Sequence, residues 1–331
     1  MADDVDLECH QYADDTTLLH KFTNPIIACQ TINNQLSNLS KWADQWRVTF
    51  NPQKTHFMLF TKKTKRPTLQ PIFLNNTIIT EVASHCNLGL NISNKLTWDD
   101  HINAIISKAS TRLNIISRYR TRLPRLVLET LYLTMVRPVI EYGDVIYDSM
   151  SLSLGQSLEK LQRRAAIICS GAYRHTETQT LLQEVGWPSL SSRREQHKLL
   201  LFYKIKAGVY PDYIRVLIPE PVVNRYPLRE IGHVPNIHTR LVSTARSYFP
   251  STIKMWNRLP TATVQAPTFT VFKKLLITNQ IGRASYNTSC TGRAGIWLSR
   301  LRMGLSTLNQ HLFIYNLVDN ASCPSCEQSQ L

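Results

Sequence analysis

The period of the apolar residues changes once along this chain, near Thr97, and that change limits the fold more than any other feature. Before it, apolar residues come in short runs separated by turn residues. After it, they recur at spacings of three and four. The pattern predicts an α+β amino-terminal part followed by a mostly helical remainder.

In the first part, Leu7–Gln11 reads as a short strand, Tyr12–Asp15 as a tight turn and Thr16–Phe22 as the returning strand. Asn24-Pro25 has the order of an N-cap followed by a first-turn proline, and opens a helix running to about Trp46. Ile32, Leu36, Leu39, Ala43 and Trp46 form one apolar stripe, widened by Trp42, and read as core. Asn51-Pro52 breaks the chain before a strand at Thr55–Phe60. A basic tip follows at Lys62-Lys63-Thr64-Lys65-Arg66-Pro67. Leu69–Leu74 and Thr77–Val82 read as a hairpin around Asn75-Asn76, since asparagine tolerates positive φ. Leu88-Gly89-Leu90 starts another strand.

Beyond Thr97, His101–Tyr119 should place Ile102, Ile105, Ile106, Ala109, Leu113 and Ile116 on one side. Pro124 opens a second helix, Leu126–Val136, expected to end near Pro138. Leu154–Ile168 and Leu190–Ala207 complete a four-helix bundle with short connections. Residues 209–267 hold eight of the 16 prolines, which predicts an irregular, partly extended connector. Thr268–Thr278 and Ile296–Val318 look helical. No internal repeat stands out.

The net charge of +15 is unevenly placed. Residues 1–100 carry 9 Lys+Arg against 10 Asp+Glu, while residues 101–331 carry 29 against 13. Such an excess suggests a polyanionic partner, most often nucleic acid. No run of 18 apolar residues suggests a membrane span, and the acidic start MADDVDLECH lacks the order of a signal peptide. An intracellular protein of nucleus or cytoplasm is expected, not a secreted one. Cys9, Cys29, Cys86, Cys169 and Cys290 show no framework spacing.

Tyr12-Ala13-Asp14-Asp15 carries the clearest chemistry. Two adjacent carboxylates on a hairpin turn form an exposed oxygen-ligand platform. Magnesium takes such ligands and keeps several waters, so one or two carboxylates with substrate phosphates hold it. Nucleotidyl transfer uses two such ions, one activating the attacking hydroxyl and one steadying the leaving group. By itself an adjacent Asp pair is weak evidence; most are solvated turns.

At this point the sequence resembles the reverse transcriptases of non-LTR, jockey-like LINE retrotransposons. QYADDTTLL resembles their Y-A-D-D motif, LSNLSKWADQW the helix after it, and FNPQKTHFMLF the next motif. Asn87-Leu88-Gly89 and KLTWDDHI are similar to a stretch near the primer grip. MVRPVIEYGDVIYDS, LEKLQRRAAIICSG, YFPSTIKMWNRLP and LSRLRMGLSTLNQHLF resemble later segments in the family's order. The resemblance implies a partial polymerase palm of β-hairpins plus a helix over 1–100, and a helical thumb-like domain over 101–208. A Pro-rich connector over 209–267 and a C-terminal helical segment over 268–331 would follow. It also implies RNA-templated DNA synthesis with two Mg2+ ions, an RNA template, a DNA primer and deoxynucleotides.

The resemblance carries roles to single residues. Asp14 matches the direct ligand of both metals and Asp15 the weaker one. Tyr12 would pack beside the primer end, and Ala13 would leave room for the template–primer strand. Lys54 matches a lysine that protonates the departing pyrophosphate. Leu88 and Gly89 fall at the primer grip, although Asn87 stands where the family often has an aromatic residue. Lys108, Arg112 and Arg118, with Arg120, Arg122 and Arg125, would contact the phosphates of the duplex. So would Lys160, Arg163, Arg164, Arg193, Arg194 and Lys198.

The chain thus reads as the C-terminal piece of such an enzyme, beginning just before the YADD motif. The eleven residues before Tyr12 cannot hold the family's upstream aspartate strand, its Gly-rich motif or its fingers. Asp6 lies about 26 Å along an extended strand from Asp14, so it is not expected to substitute. The chain alone is therefore expected to be inactive. The alternative is a nucleic-acid-binding remnant without catalysis, or the product of a decayed element. Cys323 and Cys326 have the spacing of half a zinc site. The family's following His and Cys ligands are absent after them, and zinc is not expected.

Overall fold

The computed structural model describes residues 7–220, 232–278 and 292–305. The chain divides into two compact units at Thr97/Trp98.

In the first unit, strand β1 (Leu7–Tyr12) pairs antiparallel with β2 (Asp15–His20). Helix α1 (Pro25–Gln45) starts as its sequence predicts, with Pro25 in the first turn and the Asn24 side chain accepting from the Ile26 amide at 2.9 Å. The remaining strands are short. These are β3 (His56–Phe57), β4 (Phe73–Leu74), β5 (Thr77–Ile78), β6 (Thr80–Glu81), β7 (Ser84–Asn87) and β8 (Leu90–Ser93). They pair two by two: β3 with β6 in parallel, β4 with β5 and β7 with β8 antiparallel. Asn75 and Asn76, at φ 48° and 60°, close the β4–β5 hairpin as a type I′ pattern requires. The Asn33 side chain of α1 fixes that hairpin by accepting from the Phe73 amide and donating to the Pro71 carbonyl. Leu36, Ile72, Leu74 and Ile79 form the buried core.

Three expectations change here. The strand expected over Thr55–Phe60 shrinks to two residues, because among the described residues it pairs only with the two-residue β6. Leu88-Gly89 is a turn between two strands, not the start of one, and both residues have positive φ. Trp42 and Trp46 lie at the exposed end of the α1 stripe, 44% and 67% exposed; Ala28, Cys29, Leu36 and Ala43 are the buried residues of that helix.

The second unit is helical. Helix α2 (Asp99–Arg118) buries Ile102, Ile105, Ala109, Leu113 and Ile116 at the expected spacing. Helix α3 (Arg125–Leu131) runs into a π-helical turn (Tyr132–Val136) and on into α4 (Arg137–Glu141). The helix does not end near Pro138. The wide turn, in which the Arg137 amide donates to the Tyr132 carbonyl, gives the proline ring clearance inside a continuing helix. After α5 (Asp144–Tyr147) come α6 (Leu152–Ser170), α7 (Thr178–Val185) and α8 (Leu190–Lys206). Ser151 and Ser189 cap α6 and α8. One large core joins α2 through α7.

Between 209 and 267 the described residues combine short helices with extended stretches, and 221–231 lie outside the described residues. The helices among them are α9 (Asp212–Arg215), α10 (Val242–Ala245), α11 (Tyr248–Trp256) and α12 (Thr261–Val264), which lead into α13 (Phe269–Thr278). Ile253 and Trp256 of α11 meet Leu199 and Phe202 of α8 and Phe272 of α13 in a second core. Asn257 pins an extended stretch to that core, accepting from the Val234 amide at 3.0 Å and donating to its carbonyl at 2.8 Å. Helix α14 (Gly292–Arg302) covers only part of the helix expected over Ile296–Val318. It stops where Gly304 takes φ 69° and the Leu305 amide turns back to the Arg300 carbonyl. Residues 306–318 lie outside the described residues. No described helix is long and apolar enough to cross a membrane.

Candidate functional site

The β1–β2 hairpin pairs from Leu7↔His20 to Tyr12↔Asp15, which leaves only Ala13 and Asp14 in the loop. Ala13 alone of the two has positive φ, 52°, the pattern of a type II′ turn. That position favours glycine, so alanine there stores about 1 kcal/mol of backbone strain. The turn puts Asp14 at the apex and Asp15 on the first strand residue. Both are exposed, and Tyr12 beside them is 68% exposed. Further down, the Glu8 carboxylate takes hydrogen bonds from His10 and Lys21 at 3.3 and 3.4 Å, tying the strands together. Those bonds hold its pKa below the ordinary carboxylate value.

The donor set at the tip is all carboxylate oxygen, which suits a hard divalent cation such as magnesium. Among the described residues, no group of three Asp, Glu, His or Cys side chains is arranged to hold a metal. The pair at this tip would therefore share an ion with waters, phosphates or ligands from elsewhere.

Lys54 sits on a turn built by Asn51. The Asn51 carbonyl accepts from the Lys54 and Thr55 amides at 3.1 Å, and its side chain accepts from the Gln53 amide at 2.9 Å. Lys54 itself is exposed. Leu88, at φ 47° and 44% exposed, and Gly89, at φ 80°, cap the β7–β8 hairpin. A leucine at positive φ is an outlier of the kind found at functional tips.

The basic residues of the second unit separate into two groups. Lys108, Arg118, Arg120 and Arg122 are exposed along and just beyond α2. Arg112 donates to the Met135 carbonyl of the π turn. Arg125 is internal: it donates to Glu129 at 2.6 Å, to Glu184, and to Ser299 at 2.9 Å. Burial disfavours its charge, but the two carboxylates outweigh that and raise its pKa.

Helix α8 is held the same way. Arg193 pairs with Glu141, His197 with Asp144 at 2.6 Å, and Arg194 and Lys198 with Asp148 at 3.0 and 2.8 Å. Lys198 is buried and also donates to Ser251. Arg163 donates to the Arg174 and Thr176 carbonyls. Arg125, Arg193, Arg194 and Lys198, expected at phosphates, therefore act within the helical core. The signal for this was the matching spacing of Glu141, Asp144 and Asp148 against residues 193–198, which charge counting passes over. Lys160 and Arg164 remain exposed.

Cys9, Cys29, Cys86 and Cys169 are free thiols. Cys323 and Cys326 lie outside the described residues.

Several curated proteins are similar to this chain. A probable RNA-directed DNA polymerase from transposon BS of Drosophila melanogaster is 26% identical over 189 residues, 56% of this chain and 21% of that protein. The RNA-directed DNA polymerase from mobile element jockey of the same species is 25% identical over 229 residues, 68% of this chain and 25% of that protein. A probable RNA-directed DNA polymerase from transposon X-element, also of that species, is 21% identical over 236 residues, 66% of this chain and 26% of that protein. The chain thus spans about a quarter of the length of these curated relatives or less. No family model and no solved structure matches it. With the YADD residues at a hairpin tip, the chain is similar, at 21–26% identity, to part of the RNA-directed DNA polymerases of these jockey, BS and X-element transposons.

Proposed function

We propose that residues 7–97 contribute the carboxylate hairpin of an RNA-directed DNA polymerase palm, and that the helices after Trp98 form a thumb-like grip on the template–primer duplex. The observation that carries this reading is Asp14 in a two-residue hairpin loop with Asp15 on the strand residue directly after it, both exposed. Asp14 would be the principal ligand of two magnesium ions, with Asp15 the weaker one. Bound there, the ions would supply activation of the primer 3′-hydroxyl and charge stabilisation at the leaving pyrophosphate.

The chain's own residues do the rest. The rigid turn holds two carboxylates outward without a helix or loop to reorganise. Tyr12 presents an exposed ring to the primer end, and Ala13 keeps the apex narrow. Lys54, exposed on the Asn51 turn, would give a proton to the departing pyrophosphate. Leu88 and Gly89 offer a second hairpin tip to the primer strand. Lys108 and Arg118 on α2 would meet phosphates, giving affinity that falls steeply with salt and carries little sequence information.

The partners on this reading are an RNA template, a DNA primer and a deoxynucleoside triphosphate. Among the described residues the carboxylate pair has no third ligand beside it, and the chain alone is proposed to bind template–primer without extending it. Primer extension on poly(rA)/oligo(dT) with magnesium tests this. No extension, together with salt-dependent binding of the duplex, is the expected result. Extension that Asp14→Ala abolishes would overturn the inactivity and keep the site. Absence of any nucleic-acid binding would overturn the whole reading.

A further inference from the structure

The turn between α6 and α7 is held rigid from two sides. Gly171 ends α6 at φ 69°, and a Cβ there would lie 2.6 Å from Ile296 of α14, so handedness and contact both require glycine. From α6, Arg163 donates to the carbonyls of Arg174 and Thr176, and its Nε reaches Thr178 Oγ1 at 3.1 Å. From α14, Arg300 Nε donates to the Gly171 carbonyl at 2.9 Å and Nη1 to the Tyr173 hydroxyl at 3.3 Å. The same guanidinium lies 4.2 Å from the centre of the Tyr173 ring. The His175 ring stacks on that of Tyr173 with centres 5.5 Å apart and planes 5° from parallel. Tyr173 is half-buried, while Arg174 and His175 are exposed.

The result is a flat aromatic step, fixed to the core by two arginines and open to solvent at its outer end. Arg174 is exposed at the tip beside it, and the guanidinium of Arg300 lies on the Tyr173 ring. A fixed π-face beside guanidinium groups is what an unpaired base stacks on. Such stacking tolerates any base, because every base has a π-face. A duplex hides those faces between its own base pairs, so the step selects single strands.

We propose that Tyr173, Arg174 and His175 form a stacking site for an unpaired base of single-stranded RNA or DNA. The stack of His175 on Tyr173 would receive the base and Arg174 the neighbouring phosphate. No residue of the YADD hairpin takes part. The site rests on the reading of this chain as a nucleic-acid binder and adds to it a preference for unpaired strands.

The test is fluorescence anisotropy of the full chain with three labelled oligonucleotides of equal length: a single-stranded oligo(dA), an abasic strand and a duplex. The expected result is tighter binding of oligo(dA) than of the abasic strand. His175→Ala should weaken oligo(dA) binding about tenfold while leaving the abasic strand nearly unchanged, and His175→Phe should restore it. Because His175 is exposed, its substitution should leave the far-ultraviolet circular dichroism unaltered. Equal affinity for oligo(dA) and the abasic strand would overturn the stacking site alone, as would an unchanged preference in His175→Ala. Failure to bind any of the three would overturn both the site and the nucleic-acid reading beneath it.

Discussion

Residues 7–97 bury a core cluster of Leu36, Ile72, Leu74 and Ile79, whereas the described residues after Trp98 bury 25 residues in one cluster and seven in a second. The first unit folds by local devices: an Asn cap, three tight hairpins and two-residue strand pairs. It leaves Tyr12, Trp46 and Ile78 at 68%, 67% and 60% exposure. Isolated two-stranded pairs gain little from burial. The second unit draws its stability from interdigitated side chains, and even spends cations on its interior. The two regions show that exposed chemistry and stability need not share residues. The carboxylate tip sits on the lightly packed part, and the cations that look like a binding face are divided between surface and core.

The strongest challenge to that contrast is to remove an inward cation. Arg125→Met leaves the buried carboxylates of Glu129 and Glu184 short of their main partner and is expected to cost about 4 kcal/mol in denaturant unfolding followed by circular dichroism. A loss under about 1 kcal/mol would mean the pairs behave as surface salt bridges. Leu113→Ala, at a fully buried site on α2, should cost about 3 kcal/mol by the same measurement. Leu36→Ala in the first unit should cost less than half of that, since its thin core can collapse around the change. Equal losses would erase the distinction between the units.

A smaller effect should come from His101, buried between Trp98 and Tyr147 with ring centres 5.9 and 5.3 Å away. Burial holds its pKa below the ordinary histidine value. The unfolded chain therefore takes up a proton first as pH falls. The stability this histidine contributes is present above the ordinary range near about pH 6.5 and is lost as pH drops through the depressed value. Thermal melts from neutral to mildly acid pH should show that decline, and His101→Phe should flatten it. A pH slope unchanged by the substitution would contradict the assignment. The least effect on stability belongs to Arg118→Ala, within about 0.5 kcal/mol. It should still reduce the salt slope of nucleic-acid binding by about one, and an unaltered slope would remove Arg118 from the phosphate contacts.

Local chemistry was legible in the sequence wherever neighbours along the chain decide the structure. Asn24-Pro25 capped a helix, Asn75-Asn76 closed a hairpin, and the Asp pair fell on a turn. What the chain buries against was less legible. Trp42 and Trp46 continue an apolar stripe, but periodicity names a face without saying what covers it. Prolines misled in both directions. Pro138 sits inside a continuing helix because a π turn makes room for it. Pro211, Pro250 and Pro260 mark the starts of helices where their number suggested a connector. Net charge could not separate Arg118, facing solvent, from Arg125, facing two buried carboxylates. The Tyr173–His175 step had no motif; only the packing of α14 against the turn brings it out.

The hairpin itself can be interrogated with manganese as a paramagnetic stand-in for magnesium. Titrated into isotope-labelled chain, it should broaden the backbone amide signals of Tyr12 through Thr16 before any others, and the combined Asp14→Asn and Asp15→Asn change should abolish that broadening. Amides at this turn that stay sharp while signals elsewhere broaden, or broadening that survives the double substitution, would contradict a metal-gripping role for the two aspartates.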